Sequence, residues 1–302
     1  MGYFRARDAQ EKLFEPKTPS EIAVMRRAAA AVCAILARAR DSIRIGMPTA
    51  ELDDIIAIEI KRRGGTPAFK GYRGYPAVSC ISIDHELVHG IPSRNRLFQP
   101  GQMVSIDVGM FLDGFCGDAA TTLLLDDGKW SIDDPRWRLM QVTYHAMMEA
   151  LPRVRPGVRM GDVSSVIQRY AEEHGYGVVR EYVGHAVGRQ MHEKPDVPNF
   201  GNPGEGVRII EGLVLCFEPM LSAGDPGTSV LKDGWTVVMA DGSLCAHYEH
   251  MVAVTETGPV LLTDPEIIQP QRIYGTGTRR PNHNDRDHYR GSSLDDVPCQ
   301  DR

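Results

Sequence analysis

Cysteine is scarce in this sequence, as are long apolar runs, aromatic residues and any excess of positive charge. Its six cysteines, at positions 33, 80, 116, 216, 245 and 299, contain no CxxC pair. This excludes a disulfide framework in a chain of 302 residues and predicts reduced thiols that mostly fill the core. The longest uninterrupted apolar run, Ala28 to Ala37, is half of what a bilayer crossing needs, and the opening MGYFRARDAQEK has no apolar signal segment. The expected location is the cytoplasm, with no membrane partner. Lys and Arg number 34 against 40 Asp and Glu, a net charge of −6, so nothing in the overall field favours DNA. What remains, 42% hydrophobic and 25% charged residues, is the balance of a folded globular chain, long enough for one large domain or two ordinary ones.

Thr18-Pro19-Ser20-Glu21 reads as a capping box with Pro in the first helical turn, opening a helix to about Arg40. A second helix is predicted from Thr49 to Arg63, stopped by Gly64-Gly65. Strands follow at Val78 to Ile83, Met103 to Met110 and Phe115 to Leu125, the last two joined as a hairpin by Leu112-Asp113-Gly114. Helices return at Asp134-Pro135 through Val154 and at Asp162 to His174. Strands are then expected at Gly212 to Pro219, Gly234 to Met239 and Ala246 to Thr255, with a hairpin turn at Asp241-Gly242. Helix, helix, strands thus occurs twice, which predicts an α+β domain of two similar halves around an antiparallel sheet. From Pro265 onward the periodicity stops, and a flexible polar tail is expected over 264–302, after an extension at 1–13 and a domain at 14–263.

The chemistry lies in acids set inside strand-like segments. Asp107 interrupts Val104-Ser105-Ile106-Asp107-Val108, and Asp118 follows eleven positions later across the hairpin. Glu218 ends Leu213-Val214-Leu215-Cys216-Phe217, and Glu249 is embedded between Ala246 and Val252. An unpaired buried carboxylate costs several kcal/mol, and these strands carry no Arg or Lys to neutralise it. A cation is the economical partner. Two Asp, two Glu and a nearby imidazole, best supplied by Gly184-His185-Ala186-Val187-Gly188, suit a pair of divalent ions. Taken singly, each acid also fits an exposed strand edge and His185 a hydrogen-bonded core histidine; spacing alone reaches only a carboxylate-rich dinuclear site.

The local phrases go further. Gly71-Tyr72-Arg73-Gly74-Tyr75-Pro76, Val88-His89-Gly90-Ile91-Pro92, Ile106-Asp107-Val108, Asp113-Gly114-Phe115-Cys116-Gly117-Asp118, Gly184-His185-Ala186-Val187-Gly188, Met191-His192-Glu193, Glu218-Pro219-Met220 and Tyr248-Glu249-His250 occur in one order over residues 14–263. This text resembles the type I methionine aminopeptidases, metallopeptidases of the pita-bread fold. The resemblance implies Asp107, Asp118, His185, Glu218 and Glu249 as ligands of two divalent ions (Mn, Fe, Co or Zn), with Asp118 and Glu249 bridging. It implies attack of a metal-bridging water on the carbonyl after the initiator Met, with Glu218 as proton shuttle. His89 would contact the scissile nitrogen and His192 the carbonyl oxygen; from the residues alone both read as surface loop histidines. The Met pocket would comprise Tyr72, Tyr75, Cys80 and Trp235, with Phe69 and Met191 at its wall. The implied partners are N-terminal peptides of nascent proteins at the ribosome, with a small second residue, served by a monomer.

Cys116 stands where the family usually has His, His247 where it has Gln, Asp84-His85 where it has Asn-Glu, and Met191 where Phe is frequent, while Phe69 fills a position that is often smaller. None is an implied ligand. These departures leave a specialised paralogue open, and a non-catalytic pita-bread binding protein stands as the alternative of another class. Prolidases and their relatives generally add a large N-terminal domain, whereas here the pattern starts by residue 18. The 31 positions from Glu218 to Glu249 leave no room for the insertion of type II enzymes.

Overall fold

The computed structural model describes residues 14–129 and 131–273; the expected extension at 1–13 and the tail beyond 273 lie outside the described residues. Helix α1 (Pro19–Ser42) starts at the expected capping box, with the Thr18 side chain accepting from the Glu21 N–H and Glu21 accepting from the Thr18 N–H. Its buried stripe, including Met25, Ala28, Val32 and Leu36, faces the core, and α2 (Thr49–Arg62) follows. Strands β1 (Thr66–Pro67), β2 (Cys80–Ile83) and β3 (Glu86–Val88) precede the long hairpin of β4 (Met103–Leu112) and β5 (Phe115–Leu125). Asp113 and Gly114 turn it with φ of 51° and 81°, the left-handed pair of a type I′ turn.

The second half repeats the order with α3 (Pro135–Ala150), α4 (Met160–Glu173), β6 (Gly177–Val178), β7 (Gly184–Ala186), β8 (Glu193–Val197), β9 (Val214–Phe217) and β10 (Met220–Ser222). After these come β11 (Thr228–Val230), β12 (Val237–Met239), β13 (Cys245–His247), β14 (His250–Thr255), β15 (Gly258–Leu261), α5 (Pro265–Ile268) and β16 (Gln271–Ile273). In one five-stranded sheet β1 and β2 share an edge of β4, while β5 takes the other edge and β16 lies beyond it; the second five-stranded sheet runs β15-β14-β9-β7-β8. Two three-stranded sheets, β13-β10-β6 and β11-β12-β3, complete the described set. Every pairing is antiparallel except β16 with β5. A Cβ on Gly117 would stand 2.6 Å from the Ala28 carbonyl carbon, so glycine lets α1 lie directly on β5.

Thr122 stitches the halves together. Its hydroxyl donates to the His247 carbonyl at 2.7 Å and accepts from the His247 N–H at 3.1 Å, while the Tyr248 hydroxyl donates to the Thr122 carbonyl at 2.9 Å.

Several expectations need correction. Val78 and Ser79 do not extend β2, because their N–H groups donate to the Asp53 carboxylate. Helix α3 ends at Ala150 and passes into a 3₁₀ turn, Leu151–Arg153. The strand expected from Gly234 starts at Val237, since the Asp233 side chain folds Trp235 and Thr236 into a turn. Asp241-Gly242 is no hairpin: β12 and β13 belong to different sheets. The strand expected from Ala246 to Thr255 breaks at Tyr248-Glu249, where the backbone turns to β5. The expected tail does not begin at 264, because α5 is capped by Asp264 and β16 pairs with Leu123–Leu125. Ile268 is fully buried there. Ile268→Ala should therefore cost about 2–5 kcal/mol in urea unfolding; a change too small to measure would show that this segment is not part of the core.

Candidate metal centre and substrate cavity

In the β4–β5 hairpin Asp107 pairs with Ala120 and Asp118 with Gly109. Alternation then puts both carboxylates on one face, one diagonal step apart. On the other sheet His185 of β7 lies directly across from Cys216 of β9, and Glu218 follows two positions later. Glu249 occupies the break between β13 and β14, its N–H donating to the Ala120 carbonyl at 2.9 Å. The seam therefore delivers groups from both halves to one place. Donor atoms of Asp118, His185, Cys216 and Glu249 lie within 4.8 Å of one another. Asp107 and Glu218 line the same cavity, and the Glu218 carboxylate stands 3.6 Å from His185 Nε2 and 3.4 Å from His247 Nε2.

Electrostatics show how unusual this cluster is. Burial, reinforced by the neighbouring acids, holds Asp118 and Glu249 well above the usual carboxylate range. Asp107 is pushed up to about 7 and Glu218 to about 8, in both cases by burial first. The Cys216 thiol is pushed up by burial and by Glu249 and Asp118, whereas burial lowers His185 to about 3. Asp107 Oδ1, Asp118 Oδ1 and Glu249 Oε1 are buried without a hydrogen-bond partner, and among the described residues no Lys or Arg pairs with any of the acids. Unpartnered lone pairs beside an imidazole are a donor set made for divalent cations. His185 fits this as well: its Nδ1 lies 3.0 Å from the Ala186 carbonyl, which fixes the proton there and leaves Nε2 free as a ligand atom.

The cavity, about 630 Å³, also takes in every expected substrate residue: Phe69, Tyr72, Tyr75, Cys80, His89, Met191, His192 and Trp235. The Tyr75 hydroxyl lies 3.0 Å from the carbonyls of Ser79 and Gly90, and its ring meets Trp235 edge-on at 5.1 Å. His89 sits at φ 60°, a strained value for a residue other than glycine, with its ring edge-on to Tyr182 and Trp235. His192 is exposed at the rim, 3.0 Å from the Tyr72 hydroxyl, and its ring centroid is 4.2 Å from that of His185. A buried Lys17–Glu193 ion pair of 2.6 Å anchors the segment carrying Met191 and His192. Cys216 and Tyr182 were not expected here. Period-two alternation back from Glu218 would have marked Cys216, whereas nothing local marks Tyr182.

A family model for metallopeptidase family M24 matches residues 23–256, a span that includes all five carboxylate and imidazole residues of the cluster. The chain belongs to metallopeptidase family M24. M24 relatives include methionine aminopeptidase 1 of Bacillus subtilis, 43% identical over 247 residues, covering 82% of this chain and 98% of that protein. Methionine aminopeptidase 1 of Mycobacterium tuberculosis is 41% identical over 264 residues, covering 85% and 98%. The crystal structure of methionine aminopeptidase from Thermotoga maritima superposes with a TM-score of 0.79 at 42% identity, covering 83% of this chain and 99% of that one. Prolidase from Pyrococcus furiosus, at 22% identity and a TM-score of 0.66, shares the fold alone, over 84% of this chain and 66% of its own. The M24 pita-bread architecture expected from the sequence is thus the fold observed.

The raised carboxylates set the sign of a pH trend in metal-free protein. A carboxyl whose folded pKa exceeds its unfolded value of about 4 stabilises fully below that value and loses this contribution as pH rises through the folded pKa. For Asp107 and Glu218 the loss runs upward from about 4 and is complete only above about 7 and about 8. The depressed His89 and His185 act oppositely, their contribution being complete only above their unfolded value of about 6.5 and lost on acidification. Chelator-treated protein should therefore gain Tm between about pH 8.5 and about pH 6.5. A flat or falling calorimetric profile over that window would mean that the acids are not jointly desolvated.

Proposed function

We propose that this chain is a metal-dependent aminopeptidase that removes the initiator methionine of nascent proteins when the second residue is small. The observation that carries this reading is the set of unpartnered carboxylate oxygens beside His185, on the floor of a cavity walled by sulfur and aromatic side chains. Asp107, Asp118, His185, Glu218 and Glu249 would hold two divalent ions drawn from Mn, Fe, Co or Zn. Bound there, the ions would acidify a shared water and polarise the scissile carbonyl. The protein is proposed to work as a monomer in the cytoplasm, on chains leaving the ribosome; among the described residues no helix is long and apolar enough to cross a membrane.

The remaining steps belong to the side chains. Glu218, lying between His185 and His247, takes a proton from the attacking water and passes it to the departing nitrogen. A phenol is the natural donor to His192 Nδ1, so the Tyr72 hydroxyl leaves the His192 proton on Nε2, available to the carbonyl oxygen as negative charge develops. His89, fixed by its left-handed backbone, is assigned to the scissile nitrogen. Tyr75, Cys80, Met191 and Trp235 surround the thioether with polarizable and aromatic surface. The second side chain must lie near the acids, where a bulky group would move the carbonyl away from the water.

Asp107→Ala or Glu249→Ala should abolish release of Met from a Met-Ala peptide while the protein stays folded; full turnover with saturating divalent metal would refute the dinuclear mechanism. His192→Ala should lower kcat by about 10²–10³-fold, and an effect confined to KM would reassign it to substrate binding. Comparing kcat/KM for Met-Ala, Met-Leu and Leu-Ala peptides tests substrate choice. Equal cleavage of Met-Leu, or a preference for Leu-Ala, would overturn the initiator-methionine assignment.

A further inference from the structure

Cys216 lies across from His185 on one side and Met251 on the other, two positions before Glu218 and on the same strand face. Its Sγ belongs to the group of donor atoms, with Asp118, His185 and Glu249, that all lie within 4.8 Å of one another. A cysteine so placed could be mere packing. A separate observation points to a ligand at the same spot: Asp118 Oδ1 and Glu249 Oε1 have no hydrogen-bond partner, in residues only 3% and 2% exposed. A cation satisfying those oxygens has the sulfur within reach. Met251 Sδ is nearby as well but already accepts the Asp118 N–H at 3.1 Å.

We propose that Cys216 is an additional, soft donor at the metal centre, binding as a thiolate when the ion is thiophilic, such as Zn²⁺, Co²⁺ or Cd²⁺, and standing aside for the harder Mn²⁺. On binding, the sulfur–metal bond replaces the S–H bond and the proton leaves to solvent. The consequence is a centre biased toward thiophilic metals beyond what the four carboxylates and His185 alone would give. This rests on the reading of the cluster as a metal site, and the experiment separates the two.

Full-length protein stripped with chelator is titrated with Co²⁺ and followed by absorption. The expected result is a thiolate-to-cobalt charge-transfer band in the near ultraviolet that is absent in Cys216→Ser and kept in Cys116→Ser, which removes another fully buried thiol. A thioether such as Met251 gives no thiolate band. Competition between Zn²⁺ and Mn²⁺ should shift against zinc by at least about tenfold in Cys216→Ser. X-ray absorption at the zinc edge of the unaltered protein needs no variant and should show a sulfur neighbour at about 2.3 Å. Cobalt bound without a thiolate band, and zinc without a sulfur neighbour, would overturn the role of Cys216 while leaving the metal centre standing. No metal bound by the unaltered protein would overturn the metal reading and this inference with it.

Discussion

Negative charge brought together out of water is the constraint on which this structure turns. Asp118 and Glu249 are buried, Asp107 and Glu218 partly so, and no Lys or Arg among the described residues pairs with any of them. Such an arrangement opposes folding until a cation or protons compensate it, so the surrounding chain must hold the acids in place by other means. It does so with backbone. Asp107 and Asp118 are fixed by the register of one hairpin, Glu249 by its N–H on Ala120, and Glu218 by its carbonyl, which accepts from the Asn199 side chain at 3.0 Å. Because these supports come from both halves of the molecule, the centre forms only when the halves pack together along the seam that Thr122 and Ala120 help to close.

The proposed metal ligands and the proposed substrate residues are held by different means. The proposed ligands sit in or beside paired strands of both large sheets, which suits a donor set that must not move. His89, Tyr72 and His192 lie on turns and connections, where backbone conformations outside regular structure are available. Those connections are braced individually: His89 by aromatic edges, and the Met191–His192 segment by Lys17 reaching across to Glu193 from just before α1. A buried ion pair contributes little net stability but strongly disfavours alternative placements of the segment that carries it. The segment entering the first helix is thereby joined to the rim of the cavity.

The parts of this arrangement legible in the sequence are those governed by local rules. Thr18 to Glu21 announces α1 because a capping box satisfies its donors within four residues, and Asp113-Gly114 announces the hairpin because the turn needs two left-handed residues. Strand parity then suffices to bring Asp107 and Asp118 together. The break at Tyr248-Glu249 is not legible, since Ala-His-Tyr-Glu-His-Met-Val alternates like an unbroken strand and only the distant Thr122 and Ala120 turn it aside. Residues 264–273 mislead for a similar reason: they have little periodicity, and their order comes from docking against β5 and from burial of Ile268. Cys216 reads as core filler because its run is apolar throughout, and the face it shares with Glu218 acquires meaning only once His185 is known to lie opposite.

The departures from the usual family residues bear on the same constraint. Phe69 packs over the strand face at Gly109, where any Cβ would meet its ring, so the large side chain is accommodated by a glycine two residues from Asp107. Cys116, fully buried, lies two residues before Asp118, with its N–H donating to Gly188 at 2.8 Å, and it puts a small neutral group where an imidazole would bring a titratable one. His247 does the reverse, placing an imidazole 3.4 Å from Glu218. Together the two changes move an imidazole from the side of Asp118 to the side of Glu218. The charge that must be balanced is unaltered, but an imidazole now stands 3.4 Å from the group proposed to carry the proton. The proposed ligand set is therefore present in full, while the polar surroundings of Glu218, the group proposed to carry the proton, differ from the usual family pattern.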